Sequence, residues 1–180
     1  ITNGKTIGCV GLSNGIGNIG LFSNYTTLSQ INMVSLGNAE FTGSGNSKKQ
    51  FGATSNGVLG RGVLAGGNWS SIYSNLISYL QITTSIRCYD FGELLTRNHS
   101  KYQALSNATL DRAVFPYNYT GNTNTIEYIT ISNLSNAIDF GDLLYYSGEF
   151  PGATSNGSNN NGVVTNGGGI SNSIQLLNIS

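Results

Sequence analysis

Residues 106–146 read SNATLDRAVFPYNYTGNTNTIEYITISNLSNAIDFGDLLYY, and most of the remaining sequence can be laid over this stretch. It holds a Ser-Asn turn, Arg112 six residues after Ser106, a short apolar run, a polar aromatic loop, an alternating segment and a closing DFGDL. The turn returns at Ser13-Asn14, Ser55-Asn56 and Ser155-Asn156, so successive copies begin 42, 51 and 49 residues apart. Six residues after each Ser stand Ile19, Arg61, Arg112 and Asn161, followed by the runs GLFSN, GVLAGG, AVFPYN and GVVTNG. The next apolar segments are QINMVSL from Gln30, SYLQI from Ser78, EYITI from Glu127 and SIQLLNI from Ser173. Phe41, Phe91 and Phe140 then follow in AEFTG, YDFGEL and IDFGDL, 50 and 49 residues apart. Landmarks in constant order at a period near fifty residues identify an internal repeat, with copies starting near Ser13, Ser55, Ser106 and Ser155.

Alternation within these segments is that of strands with one buried face, and no window shows apolar residues at helical spacing behind a capping residue. Each copy offers about four short strands: one before the Ser-Asn turn (TIGCV, KKQFGAT, KYQAL, EFPGAT), one at the GVLAGG register, one at SYLQI and one around DFGEL. A four-strand unit repeated in this way predicts an all-β propeller of about four blades of roughly fifty residues, residues 1–180 forming one domain. Residues 1–12 lie over LLTRNHSKYQAL, so the sequence starts partway through a copy. The fourth copy stops before its closing motif, and the two partial ends are complementary. Ile1 in place of an initiating Met suggests a processed chain or part of a longer one.

Composition fits this architecture. The 25 Gly and 24 Asn supply residues that tolerate positive φ in tight turns, while 10 Tyr, 7 Phe and many aliphatic residues supply a core. Eight basic and eight acidic residues balance to zero net charge, which gives no sustained attraction to phosphate and argues against nucleic acid as a partner. Lys48-Lys49 reads as a solvated strand edge. No apolar run is long enough to span a bilayer as a helix. Cys9 and Cys88 occupy different repeat positions and read as two half-buried thiols; with the single His99 they are too few for a metal site. Eight N-x-S/T sequons, among them Asn68, Asn107 and Asn118, are expected from composition alone.

Gly15, Gly17 and Gly20 form GxGxxG, but a dinucleotide site needs a helix starting there, and GLFSN occupies the repeat's strand register. The pairs Asp90/Glu93 and Asp139/Asp142 recur at one repeat position, which favours a structural task over catalysis. Asp90 and Asp139 can accept backbone N–H groups in a tight turn or pair with Arg61 and Arg112 of a neighbouring strand. No nucleophile, base and orienting acid are arranged together, so no catalytic residue, metal or cofactor is assigned. The loops after the second strand differ most between copies: GNWSSIYSN from Gly67, PYNYTGNTN from Pro116 and GGGISNS from Gly167. Trp69, Tyr73, Tyr117 and Tyr119 there are candidate ligand-binding residues, since exposed rings beside amides and hydroxyls suit sugar or protein surfaces; their other use is packing between blades.

The order of polar turn, Arg, small residue, two hydrophobic residues and Gly66-Gly67, followed by an aromatic strand, resembles the kelch repeat. SNGVLGRGVLAGG together with YITI and NAIDFGDL is most similar to kelch-like repeats of tailed-bacteriophage virion proteins. That resemblance implies a non-enzymatic structural protein of a tail or head fibre, at a virion surface or otherwise extracellular. Its partners would be host-surface glycans or neighbouring virion subunits. The alternatives are a secreted cellular carbohydrate-binding module on the same fold, and an oxidase or hydrolase propeller with ligands converging at its central channel. Copies one and four depart from the pattern, with Ile19 and Asn161 at the Arg position.

Overall fold

The serine of each Ser-Asn pair stands at the same register of the first hairpin in its sheet, Ser13 opposite Gly20, Ser55 opposite Gly62, Ser106 opposite Ala113 and Ser155 opposite Gly162. The computed structural model describes residues 9–13, 19–24, 27–32, 38, 40–44, 52–55, 60–69, 72–82, 87–98, 103–107, 110–116, 124–145, 152–156, 160–165 and 173–180. The first sheet runs β1 (Cys9–Ser13), β2 (Ile19–Asn24), β3 (Thr27–Asn32) and β4 (Glu40–Ser44), in that spatial order. The second contains β5 (Gly52–Ser55), β6 (Arg61–Ala65), β7 (Asn68–Trp69), β8 (Ile72–Gln81) and β9 (Tyr89–Asn98), with β8 between β6 and β9 and also paired to the short β7. The third is β10 (Leu105–Asn107), β11 (Arg112–Phe115), β12 (Thr125–Thr130) and β13 (Ile138–Asp142). The fourth shows three strands, β14 (Ala153–Ser155), β15 (Asn161–Thr165) and β16 (Ile174–Asn178). All pairings are antiparallel and sequential apart from the two-residue β7.

The sheets stack in chain order. Strand β5 lies beside β1, β10 beside β5 and β14 beside β10, so the first strands of the sheets sit together on one side. This radial, propeller-like arrangement follows from the sequence pattern. No single sheet can bury both faces, and each hides its apolar side chains against the next. Leu28 of the first sheet packs with Leu64, Leu80 and Ile82 of the second. Val63, Ile77, Phe91 and Leu94 of the second meet Ala113, Phe115, Ile129 and Ile131 of the third. Leu105, Val114, Ile126 and Leu143 of the third meet Val164 and Ile179 of the fourth. Within each sheet alternate residues therefore form a leading face toward the next sheet and a trailing face toward the preceding one.

Two backbone features recur. The residue before the second strand is left-handed: Gly60 has φ 61°, Asp111 55° and Asn160 56°. Glycine, aspartate and asparagine are the residues that accept this conformation with least strain. The carbonyl of each accepts the N–H one residue beyond the third strand: Ile82 to Gly60 at 2.7 Å, Ile131 to Asp111 at 2.8 Å and Ile179 to Asn160 at 2.6 Å. A β-bulge also recurs, at Leu28/Ser29, Ile77/Ser78 and Ile126/Glu127, opposite Gly43, Gly92 and Gly141. Those glycines are 49 residues apart in both steps (92 − 43 and 141 − 92). The first copy is thus registered by Gly43, and Phe41 occupies the position of Asp90 and Asp139 rather than that of Phe91 and Phe140. The bulge needs the permissive backbone of glycine more than it needs the aromatic ring.

Asp139 performs the turn role expected of it, its Oδ1 accepting the Gly141 N–H at 2.9 Å. The other expected role, an ion pair with an arginine, is corrected by the structure. Arg61 Nη1 donates to the Ile131 carbonyl of the next sheet at 2.7 Å, and Arg112 Nη1 to the Ile179 carbonyl at 2.9 Å. A carbonyl at a sheet end is fixed by the repeat geometry, whereas Asp139 is exposed at the bulge of β13 and lies in water. Cys88 is half-buried, as expected; Cys9 contributes its backbone to β1.

Candidate functional site

Beyond Ala65 the chain turns sharply at Gly66 and Gly67, with φ 72° and 93°, and continues as β7. Gly66 N–H bonds the Leu76 carbonyl at 3.1 Å and Ser74 N–H bonds the Gly67 carbonyl at 3.0 Å, so the β6–β8 hairpin carries on past the kink. Asn68 faces Tyr73 and Trp69 faces Ile72 across the tip. Because β8 and β9 each run ten residues, the outer half of the second sheet extends as an arm. Asn75 Nδ2 donates to Glu93 Oε2 at 3.0 Å along this arm, and Ile72 at its tip is 66% exposed.

The structure therefore brings two of the four sequence-derived candidates, Trp69 and Tyr73, onto one hairpin, at register positions that alternate across it. Tyr73 is half-buried. Tyr117 and Tyr119 lie outside the described residues, in the corresponding connection of the third sheet.

At the opposite end of the second sheet lies a cluster that sequence reasoning missed. The Arg61 guanidinium lies 4.8 Å from the Tyr79 ring centroid. Tyr79 packs on Tyr89 at 5.5 Å and on the edge of Phe91 at 6.2 Å. Arg87 covers Tyr89 at 5.0 Å, and the hydrogen bond and proximity of the Tyr89 phenol hold this guanidinium's pKa above its ordinary value. The third sheet repeats the inner part: Arg112 lies 4.7 Å from Tyr128 and 5.8 Å from Phe140, whose rings meet edge to face at 5.6 Å. Stacking on an aromatic face suits arginine because its guanidinium is planar and weakly hydrated. The spacing from Arg61 to Tyr79 and from Arg112 to Tyr128, 18 and 16 residues, was the available signal.

A second joint uses buried acceptors on β12 and β16. Glu127, fully buried, accepts the Leu95 N–H of the second sheet through Oε2 at 2.9 Å. Gln175, at the same repeat position, accepts Leu144 N–H at 2.8 Å through Oε1 and donates to the Tyr145 carbonyl at 3.2 Å through Nε2. Leu95 and Leu144 are themselves equivalent, four residues after Phe91 and Phe140. These two buried side chains thus fasten the third sheet to the backbone of the second and the fourth to that of the third. Because Gln175 performs this task without charge, Glu127→Gln is expected to leave stability within about 0.5 kcal/mol of wild type. Glu127→Ala, which strands the Leu95 N–H, is expected to cost about 1–2 kcal/mol in urea unfolding.

No protein-family model matches the sequence, and no curated protein matches it. Among solved structures, a nidogen/laminin complex superposes on 94% of this chain with a TM-score of 0.65 at 10% identity. The match takes in 58% of that solved chain, so the present chain spans little more than half its length. At this identity the likeness concerns the fold alone, and it agrees with a propeller-like stack of antiparallel sheets. Among the described residues, no three of His, Cys, Asp and Glu gather closely enough to hold a metal ion.

Proposed function

We propose that this chain is a non-enzymatic display scaffold, a kelch-like propeller segment of a phage or virus appendage. Its loops meet a host-surface glycan or a neighbouring protein subunit. The observation that carries this reading is the use of the repeat's interior polar side chains. Arg61, Arg112, Glu127 and Gln175 all bond backbone groups of an adjacent sheet, which makes a stiff support, while the second sheet extends an arm beyond that support. Sparse charge suits dense assembly, since few ions must be buried unpaired when subunits meet. The matching solved structure is a nidogen/laminin complex, which is in keeping with a protein partner for this chain. The viral setting rests on the likeness of SNGVLGRGVLAGG and NAIDFGDL to phage repeats.

Binding of the purified chain to a glycan array and to intact host cells tests this reading. Trp69→Ala and Tyr73→Ala should each weaken binding by roughly tenfold or more while leaving the unfolding midpoint within a few degrees of wild type. Binding that survives both substitutions, or turnover of any glycan on the array, would overturn it.

A further inference from the structure

We infer that Arg87 and Tyr89 form a second binding site, for the carboxylate of an acidic sugar, at the end of the second sheet opposite the Trp69 hairpin. The site goes beyond the display reading above, which places contact at that hairpin. Side chains at alternate positions leading into β9 run here from the core to water. Phe91 is 4% exposed and Tyr89 41%, and Arg87 is exposed. Solvent exposure would ordinarily leave an arginine free to swing. This one lies 5.0 Å from the Tyr89 ring centroid and is hydrogen-bonded to the Tyr89 phenol. Tyr89 in turn packs at 5.5 Å on Tyr79, its partner across the strands. A guanidinium already stacked on a supported ring gives up less rotamer freedom when it grips a ligand. Among the described residues no carboxylate pairs with Arg87. Its face rests on the ring, so its N–H edge is left for water, and that edge matches the two oxygens of a carboxylate.

The repeat shows that this pair is not required by the fold. The equivalents of Arg87 are Asn38 and Asn136, 49 residues away on either side (87 − 38 and 136 − 87). Those of Tyr89 are Glu40 and Ile138, at the same spacing. Asn136 has a structural task, since its Oδ1 accepts the Glu93 N–H of the preceding sheet at 3.0 Å. Arginine carries no acceptor and cannot perform it. Of the three copies that contain these positions, only the second places a cation and a ring there. A scaffold that departs from its own repeat at two neighbouring exposed positions has room for a grafted site.

The surroundings indicate the class of ligand. The turn after β12 crosses this end of the second sheet: the Ile131 carbonyl accepts Arg61 Nη1 at 2.7 Å, and the Ser135 carbonyl lies against Gly92. Between those two anchors Ser132, Asn133 and Leu134 are exposed. One cation, the rim of one ring, a hydroxyl, an amide and a small apolar contact suit a single carboxylated sugar, a uronic or sialic acid. An acidic protein face would need a broader patch than this.

Titration of the ¹⁵N-labelled chain with glucuronate and, separately, with N-acetylneuraminate tests the inference at the arginine Nε–H signals. The expected result is a saturable shift of the Arg87 signal with at least one of them, and none with glucose. Arg87→Ala should weaken that binding by roughly tenfold or more, and Arg87→Lys, which keeps the charge and loses the fork, nearly as much. Because Arg87 is exposed and rests only on Tyr89, neither variant should move the unfolding midpoint. An Arg87 signal that stays still with both acidic sugars, or binding that survives Arg87→Ala, would overturn the inference. So would glucose or inorganic sulfate binding as well as the acidic sugars, since a carboxylate fork would then explain nothing. A blocked tripeptide with one glutamate that binds more tightly through Arg87 would overturn it as well, by assigning the site to an acidic protein.

Discussion

Gly92→Ala is expected to be the most damaging single methyl addition in this protein, lowering stability by about 3–4 kcal/mol, or a thermal midpoint drop of roughly 10 °C at this size. Two causes act together. Gly92 has φ 154°, which a residue with a Cβ rarely adopts, and it sits in the bulge opposite Ile77. A Cβ built there would lie 2.4 Å from the Ser135 carbonyl oxygen and 2.8 Å from its carbon. Those atoms are backbone, and they cannot swing aside as a side chain would. The segment holding them is itself fixed to the second sheet: Ala137 N–H bonds the Glu93 carbonyl at 2.8 Å, and Asn136 Oδ1 accepts the Glu93 N–H at 3.0 Å. Relief of the clash must therefore separate the second sheet from the third. Gly141, at the same repeat position with φ 129°, is the internal control because nothing lies within 4 Å of its Cβ site. Gly141→Ala should lose only the backbone strain, about 1–2 kcal/mol. Equal losses in the two variants, measured by thermal and urea unfolding, would show that the clash contributes nothing.

That contrast marks what the sequence discloses and what it withholds. Strands were legible because their causes are local: Ser55, Ser106 and Ser155 stand between alternating segments, and in the structure each lies in the first strand of a hairpin. Register was harder. Aligning copies on Phe41, Phe91 and Phe140 misplaces the first by one residue, and starting the last strand at Ser173 hides the match between Glu127 and Gln175. A shift of one residue sends every side chain to the opposite face, so such errors conceal just those residues that cross between sheets. The arginines show the same limit. Their recurrence was visible, but their acceptors, Ile131 and Ile179, lie 70 and 67 residues away and offer only a carbonyl, which no side-chain pattern reveals. Asn107 belongs here too: it reads as a sequon, yet it is fully buried and donates to Asn160 Oδ1 at 2.9 Å. Of the candidate site, Trp69 and Tyr73 were found from composition because loop aromatics are conspicuous. Strand β7, which holds them in a hairpin, depends on the kink at Gly66-Gly67.

Arg112→Ala should rank next, at about 2–3 kcal/mol, because one side chain supplies two kinds of contact across a joint. Its Nη1 satisfies the Ile179 carbonyl of the fourth sheet, and its guanidinium plane rests on Tyr128 within its own sheet. Truncation leaves that carbonyl without its charged donor and uncovers the ring, beside the cluster formed by Val114, Ile126, Val164 and Ile179. Arg112→Lys separates the contributions. An ammonium can still donate to the carbonyl, but it is compact and strongly hydrated and cannot lie flat on the ring while doing so, so about half the loss should remain. Tyr128→Leu in the Arg112→Lys background should then cost less than Tyr128→Leu alone, since the stacking partner is already gone, and the difference in a double-mutant cycle gives the stacking energy directly. If the joint works as the geometry requires, the damage will also be local: hydrogen exchange should speed up in Ile174–Asn178 and Thr125–Thr130 while Arg61–Ala65, two sheets from the broken contact with Ile179, keeps its protection. Uniform loss of protection throughout would instead mean that the sheets unfold as one unit and that no joint is weaker than another. The stack would then behave as a single cooperative block, and the chain of nearest-neighbour interfaces proposed for it would be wrong.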